Sequence, residues 1–301
     1  MQKLVSGELS SGNYDIIFCH LLRMASYVQQ VRTVRKVLDF CDVLSLRYRI
    51  ACGLRKDFFK PVEFLEAGRL RKYESEISRK FDATLISSEV DKRYMEETMG
   101  IKGLRVIENG VEPEMVNKER PLADARKIVL FGNMRTFHNR DAAENFYIRI
   151  FPLIKARFPD ARFVIVGANM PVFLKRIALR DSAVSVFADV EDIHPYVKDA
   201  AVSVAPMRLA FGMQTKIVQS MAYGLPVVTT SCGLGGMAAQ PDRDILLADR
   251  PEDFAQKVIA LMQDEDKRRQ LIRNADTLIN ERYLWPKICQ SLNDCLEGLL
   301  R

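Results

Sequence analysis

From residue 127 onward, short apolar runs recur at regular intervals: residues 127–132 (KIVLFG), 162–167 (RFVIVG), 184–187 (VSVF), 202–206 (VSVAP), 226–230 (PVVTT) and 244–248 (DILLA). They are rich in Val and Ile and do not alternate with polar residues, which predicts strands covered on both faces. Between them lie stretches with apolar residues at i, i+3 and i+4, such as 142–156 and 213–223, which predict helices. Strands and helices in alternation predict an α/β fold with a doubly wound parallel sheet. The first 125 residues are less regular. Residues 15–19 (DIIFC), 37–40, 84–87 (TLIS) and 104–107 (LRVI) read as strands, and the charged segment 63–80 as a long, mostly exposed helix. Asn109-Gly110 is a turn signal and 121–126 a polar linker, which places a domain boundary near residue 124. Residues 283–300 read as a last amphipathic helix, with Pro286 in its tolerant first turn.

Composition narrows the class. With 301 residues, 48% hydrophobic and 28% charged, the chain is a globular protein of about two domains, not a disordered or repeat chain. No apolar run approaches the roughly 20 residues of a membrane span, and the N-terminus lacks the apolar core of a signal peptide. The six cysteines at 19, 41, 52, 232, 289 and 295 form no CxxC pair or Cys/His cluster in sequence, so they read as reduced thiols in a cytoplasmic protein. The net charge of +6 lies entirely within residues 1–80, and 81–301 are balanced. Such a basic front suits an anionic membrane surface or a phosphorylated ligand, or is simply a solvated helical face. Nucleic acid is disfavoured because aromatic residues are not interleaved with the basic ones.

In open parallel sheets, ligands bind beyond the carboxyl ends of the strands, where helix N-termini attract phosphate. Three such ends have unusual sequences: 133–139 (NMRTFHN) after KIVLFG, 188–196 (ADVEDIHPY) after VSVF, and 207–216 (MRLAFGMQTK) after VSVAP. In the last, Gly212 permits close backbone approach and a helix is expected from about Met213. The N–H groups of Met213, Gln214 and Thr215 would then carry partial positive charge. Lys216 could reach a diphosphate, and Gln219, three residues on, offers an amide to ribose hydroxyls. Taken as spacing alone, the same pattern also fits a surface lysine above an ordinary helix cap.

The order Gly212-x-x-x-Lys216-x-x-Gln219-x-Met221-Ala222-x-Gly224-x-Pro226-Val227-Val228 resembles the donor-binding stretch of GT-B glycosyltransferases, above all family 4 of retaining, nucleotide-sugar-dependent enzymes. Glu108-Asn109-Gly110-Val111 resembles the family's interdomain junction, Phe131-Gly132 the opening of its second domain, and Arg282-Tyr283-Leu284-Trp285 the lead-in to its final helix. Cys41-Asp42-Val43, Tyr73-Glu74 and Phe81-Asp82 resemble a subgroup associated with bacterial surface polysaccharides. The resemblance implies catalytic roles for Lys216, supported by Arg208, on the donor diphosphate, and for His20 near the transferred sugar. It implies donor contacts at Gly132, Asn133, Arg135, Phe187, Asp189, Val190, Gly212, Met213, Gln214, Thr215 and Gln219. It requires no metal, and no residues here have metal-ligand spacing; the nucleotide diphosphate sugar is a substrate, not a resident cofactor.

Two departures from the family pattern are visible. Gln219 stands where the family has a Glu, and its second carboxylate falls at Phe211. The front is also short by roughly 60–100 residues against ordinary layouts, so the N-terminal domain is expected to be incomplete. The resulting expectation is a GT-B fold of two Rossmann-like domains. Residues 1–124 form the shortened acceptor-side domain, 125–280 the nucleotide-sugar domain and 281–301 a helix crossing back. The expected activity is a retaining, hexosyltransferase-type transfer to a polysaccharide or lipid-linked acceptor, on the cytoplasmic side and peripheral to the membrane. The alternative is a catalytically degenerate, nucleotide-sugar-binding partner subunit. A nicotinamide-dependent oxidoreductase is disfavoured because no GxGxxG follows any strand; Gly233-Leu234-Gly235-Gly236 lacks that spacing.

Overall fold

The computed structural model describes residues 1–54, 60–116, 120–210 and 212–301. The chain forms two compact units. One comprises Met1–Asn109, Gly212, Met213 and Pro286–Arg301; the other comprises Gly110–Ala210 and Gln214–Trp285.

The first unit is built on four parallel strands, β1 (Ile16–His20), β2 (Arg35–Asp39), β3 (Ala83–Ile86) and β4 (Arg105–Val106), in the order β1-β2-β3-β4. Because side chains alternate across a strand, neighbouring residues serve opposite layers. Leu38 and Ile86 join Phe40, Ile77 and Met95 in one core. Val37 and Leu85 face a second core, closed by Cys295, Leu292, Leu296 and Leu299 of the last helix, Trp285–Leu300. Pattern reading misses the helix Gln2–Ser11, whose apolar stripe is thin.

The segment expected to be a mostly exposed helix is the helix Lys60–Ser78, but its end is buried. Glu74 is fully covered, and its Oε1 accepts the Ser45 N–H at 3.2 Å, at the start of the helix Leu44–Leu54. A carboxylate there meets the positive end of the helix dipole. Asp82 likewise ties β2, accepting the Lys36 N–H and the Arg35 guanidinium, each at 2.8 Å. Two of the subgroup-like motifs therefore have structural duties inside this unit.

The second unit carries six parallel strands: β5 (Asp124–Phe131), β6 (Arg162–Gly167), β7 (Val184–Ala188), β8 (Ala200–Ala205), β9 (Val227–Thr229) and β10 (Leu246–Leu247). Their order is β10-β9-β8-β5-β6-β7. β5 starts inside the expected linker, because the Asp124 N–H bonds to Asp199 O at 2.6 Å before the register slips and re-forms at Ile128. The predicted helix over 142–156 is interrupted. Phe137–Asn145 and Phe151–Arg157 are joined by a π-helical turn, Phe146–Ile150, where Pro152 removes an N–H from the ladder. Phe146 at this turn packs on Phe163, with ring centroids 4.6 Å apart, and on Phe254.

The two segments where the chain passes between units are bonded to each other. The Val111 N–H donates to Tyr283 O at 2.8 Å, and the Trp285 N–H to Val111 O at 3.0 Å. A Cβ on Gly110 would come within 2.9 Å of the Trp285 ring, which explains why Gly stands there. Among the described residues no helix is long and apolar enough to cross a membrane.

Candidate functional site

In the second sheet the chain starts at β5, winds outward through β6 and β7, then returns to β8 on β5's other side. The strand order thus reverses between β5 and β8, and a crevice opens at the carboxyl ends of these two strands. Gly132 follows β5 and Met207-Arg208 follow β8. Gly132 and Gly167 lie so close that a Cβ on Gly167 would overlap the Gly132 carbonyl, and both have positive φ, 148° and 154°. The strand ends therefore touch backbone to backbone, which only glycine permits.

Lys216 belongs to this crevice. Its helix is Thr215–Ala222, so helical geometry starts two residues later than Met213, the expected start. Gly212 has φ 56° and Gln214 has ψ 87°, neither helical. The amides that open the first turn are accordingly those of Thr215 and Lys216, since the Ile217 N–H already donates to Gln214 O at 2.9 Å. Lys216 Nζ donates to Asn139 Oδ1 and lies 3.4 Å from Met207 Sδ. Both neighbours are neutral. Burial beside them pushes the ammonium down to about 7, because a half-buried cation has lost water without gaining a counter-charge.

The surrounding groups are themselves fixed. Asn139 Nδ2 donates to Asn133 O at 2.8 Å. Thr230 Oγ1 donates to Met207 O at 2.6 Å. At the far end of the lysine's helix, Arg120 donates to Ala222 O at 3.1 Å and forms a two-pronged ion pair with Asp276 at 2.7 and 2.9 Å. A cation there complements the helix's negative end.

The other expected contacts are placed as follows. Asn133 Oδ1 accepts the Arg135 N–H at 2.9 Å and Asn169 Nδ2 at 3.1 Å, forming a polar rim at the end of β5. Asp189 has φ 53°, and its Oδ1 accepts the Asn169 N–H at 2.9 Å, linking that rim to the end of β7. Phe187 is exposed, with its ring 4.6 Å from Tyr196, while Val190 packs into the core under β5. Arg208 is engaged by Asp141 through Nε, at 3.0 Å, and Nη2. Gln214 is buried, Thr215 exposed and Gln219 half-buried on the lysine's helix. Gly212 and the buried Met213 group with the first unit. Phe211 lies outside the described residues.

His20 is the last residue of β1 rather than the residue after it. Its Nδ1 is 2.8 Å from Asp39 Oδ2 and 3.4 Å from Cys41 Sγ. A Cys/His cluster thus exists in space although none exists in the spacing. Burial, then the charge of Asp39, pushes the Cys41 thiol well above its ordinary range. Sequence reasoning missed Asn139, Met207, Asp39 and Cys41. For Asn139 a signal existed, since it lies in the segment 133–139 already marked as an unusual strand end. For Asp39 and Cys41 there was none, as only strand pairing brings them to His20.

Residues 125–264 match the family model described as glycosyl transferases group 1. Sucrose-phosphate synthase from Thermosynechococcus elongatus is similar in structure, with a TM-score of 0.78 at 17% identity over 99% of this chain and 77% of that one. HepE from Anabaena, solved in complex with UDP, has a TM-score of 0.76 at 15% identity over 98% of this chain and 81% of its own. The fold is GT-B. TarM from S. aureus is similar at a TM-score of 0.74 and 14% identity, with 93% of this chain covering 54% of TarM. The chain thus spans about half of TarM and roughly four fifths of the other two GT-B structures. No curated protein matches the sequence.

Proposed function

We propose that the chain is a retaining glycosyltransferase of family 4 that moves a hexosyl group from a nucleoside diphosphate sugar to a polysaccharide or lipid-linked acceptor. The observation that carries this reading is Lys216, a half-buried ammonium whose partners among the described residues are neutral, at the switch point of a parallel sheet. A diphosphate would supply the missing counter-charge. As the bond to the sugar breaks, negative charge grows on the leaving diphosphate, and a preorganised cation in a low-dielectric crevice stabilises it more than it stabilises the substrate. The first amides of the helix Thr215–Ala222 add to that field. Gln219 is assigned to the ribose, and the end of β7, with the exposed Phe187 ring, to the base. HepE was solved with UDP, which makes UDP the first nucleotide to test.

Arg32, Arg35, Lys36, Arg79 and Lys80 line a cleft of about 800 Å³ at the amino-terminal ends of β2 and β3. This cleft supports docking on an anionic membrane surface at the cytoplasmic side, where a lipid-linked acceptor and a surface-glycan pathway would be served. Loss of sedimentation with anionic vesicles at low salt would remove that part.

Thermal unfolding with UDP, GDP, dTDP, ADP and NAD⁺ in turn tests the donor assignment. A ligand at about 100 times its dissociation constant adds roughly 2.7 kcal/mol. Stabilisation by one nucleoside diphosphate is expected; stabilisation by NAD⁺ alone, or by none, overturns it. The second reading, a degenerate partner subunit, is favoured by the neutral Gln219 in a carboxylate's place. It predicts nucleotide stabilisation without release of nucleoside diphosphate from any nucleotide sugar.

A further inference from the structure

We propose that His20, Asp39 and Cys41 form a binding site for a zinc-class divalent cation, with one coordination position open to solvent. The site lies wholly in the first unit and does not depend on the donor assignment at Lys216.

Its construction begins with strand register. β1 and β2 run parallel with His20 opposite Asp39 at their carboxyl ends, the end at which such sheets take ligands. An extended chain would carry residue 41 some 6–7 Å beyond residue 39. Instead Cys41 adopts φ 60°, a left-handed conformation uncommon for a side-chain-bearing residue. The chain folds back and sets Sγ 3.2 Å from Asp39 Oδ2. The carboxylate is aimed as well: its Oδ1 accepts the Cys41 N–H at 3.0 Å, which leaves Oδ2 for the cluster. The His20 ring is mostly exposed, its side chain at 61%, so solvent reaches the fourth position.

The three donor atoms are mutually 2.8, 3.2 and 3.4 Å apart. Bonds of about 2.0–2.3 Å in a tetrahedron require edges of about 3.3–3.6 Å. Opening the N–O edge by about half an ångström is within the freedom of the exposed His20 ring. The sulfur edges need only a few tenths.

Ligand chemistry selects the ion. A thiolate, an imidazole and a carboxylate favour Zn²⁺ or Co²⁺, whereas Mg²⁺ and Ca²⁺ want oxygen throughout. Neutral His20 with ionised Asp39 and Cys41 carries two negative charges, matching a dication; binding releases the thiol proton to solvent. Three protein ligands with an open position is the coordination of a reactive zinc site rather than a closed structural one. The open position would take water or an oxygen donor such as a hydroxyl.

The test is a titration of the reduced, chelator-treated chain with Co²⁺ under anaerobic conditions. One equivalent is expected to saturate a thiolate-to-cobalt charge-transfer band and the intense visible bands of a four-coordinate ion, and Zn²⁺ is expected to bleach both. Cys41→Ser should abolish the charge-transfer band. His20→Ala, at an exposed position that leaves the fold intact by circular dichroism, should weaken binding at least tenfold. Cys232→Ser and Cys289→Ser, at the two exposed cysteines, should change nothing. Absence of the band at one equivalent, its survival in Cys41→Ser, or its loss in Cys232→Ser or Cys289→Ser would each overturn the proposal. Nucleotide stabilisation measured on the chelator-treated chain keeps the two sites' outcomes apart.

Discussion

The two sheets present chemistry at the same place, the carboxyl ends of parallel strands, but assemble it differently. In the first unit the strand order is β1-β2-β3-β4 without reversal, and its cluster is anionic and thiol-bearing: His20, Asp39 and Cys41. In the second unit the order reverses between β5 and β8, and the crevice there holds a cation, Lys216, with neutral neighbours. A reversal opens a crevice between two diverging helices, so a single lysine suffices to mark it. Without a reversal, function needs side chains converging from adjacent strand ends. The comparison can be broken at either site.

The largest effect is expected for Lys216→Met. Losing the ammonium bonded to Asn139 should reduce nucleoside diphosphate affinity at least a hundredfold, read by calorimetry. The same change should raise the melting temperature of the ligand-free chain by several degrees near pH 7, since it removes a cation that burial disfavours. A sequence change that lowers binding while raising stability marks a group held for function. If binding survived, the asymmetry between the two sheets would lose its functional meaning.

The next effect is on pH. Burial holds Lys216 at about 7, and a bound diphosphate would raise it. Binding therefore takes up a proton above pH 7. Affinity should fall up to tenfold per pH unit between 7 and 9, and Lys216→Arg, always charged, should flatten the profile. A flat profile in the parent chain would show that the lysine is already charged without ligand. A smaller effect, of about tenfold in affinity, is expected for Asn139→Leu. That change removes both the lysine's oxygen partner and the bond to Asn133 O.

These sites also differ in how far the sequence disclosed them. Lys216 was legible because β8 and the helix that carries it follow one another within residues 200–222, whereas its partner Asn139 lies far back in the chain. The six strands of its sheet were likewise visible as short apolar runs, although β7 leaves Ser185 and Phe187 exposed rather than covered on both faces. His20 was noticed only through resemblance; Cys41 was quoted only as part of a motif, and neither it nor Asp39 was connected to His20. Positions 20, 39 and 41 meet through the register of two strands and the left-handed backbone at Cys41, and neither is encoded in local hydrophobicity. The helix ending in Glu74 misled for the same reason. Its charged composition suggests exposure, yet Glu74 is buried as the cap of another helix.

The smallest effect compares two buried charges of opposite sign. Asp91, in the first turn of the helix Glu89–Met99, is buried, with Oδ2 lacking a partner among the described residues; desolvation pushes it up to about 6. A carboxyl raised in the folded state binds its proton more tightly there than in the unfolded chain. Its contribution therefore falls as pH rises from about 4 to about 6 and stays low above that. Lys216, lowered in the folded state, does the reverse: stability rises with pH from about 7 to about 10. Asp91→Asn should stabilise the first unit by about 2 kcal/mol at pH 7.5 and by little at pH 4. The measurement is urea unfolding at both pH values, followed by a probe in each unit. The exposed Cys232 belongs to the second unit and the exposed Cys289 to the first, so thiol-directed fluorophores there separate the transitions. Equal stabilisation at both pH values would mean that Asp91 gains from the substitution for reasons of packing, and that its charge is already relieved.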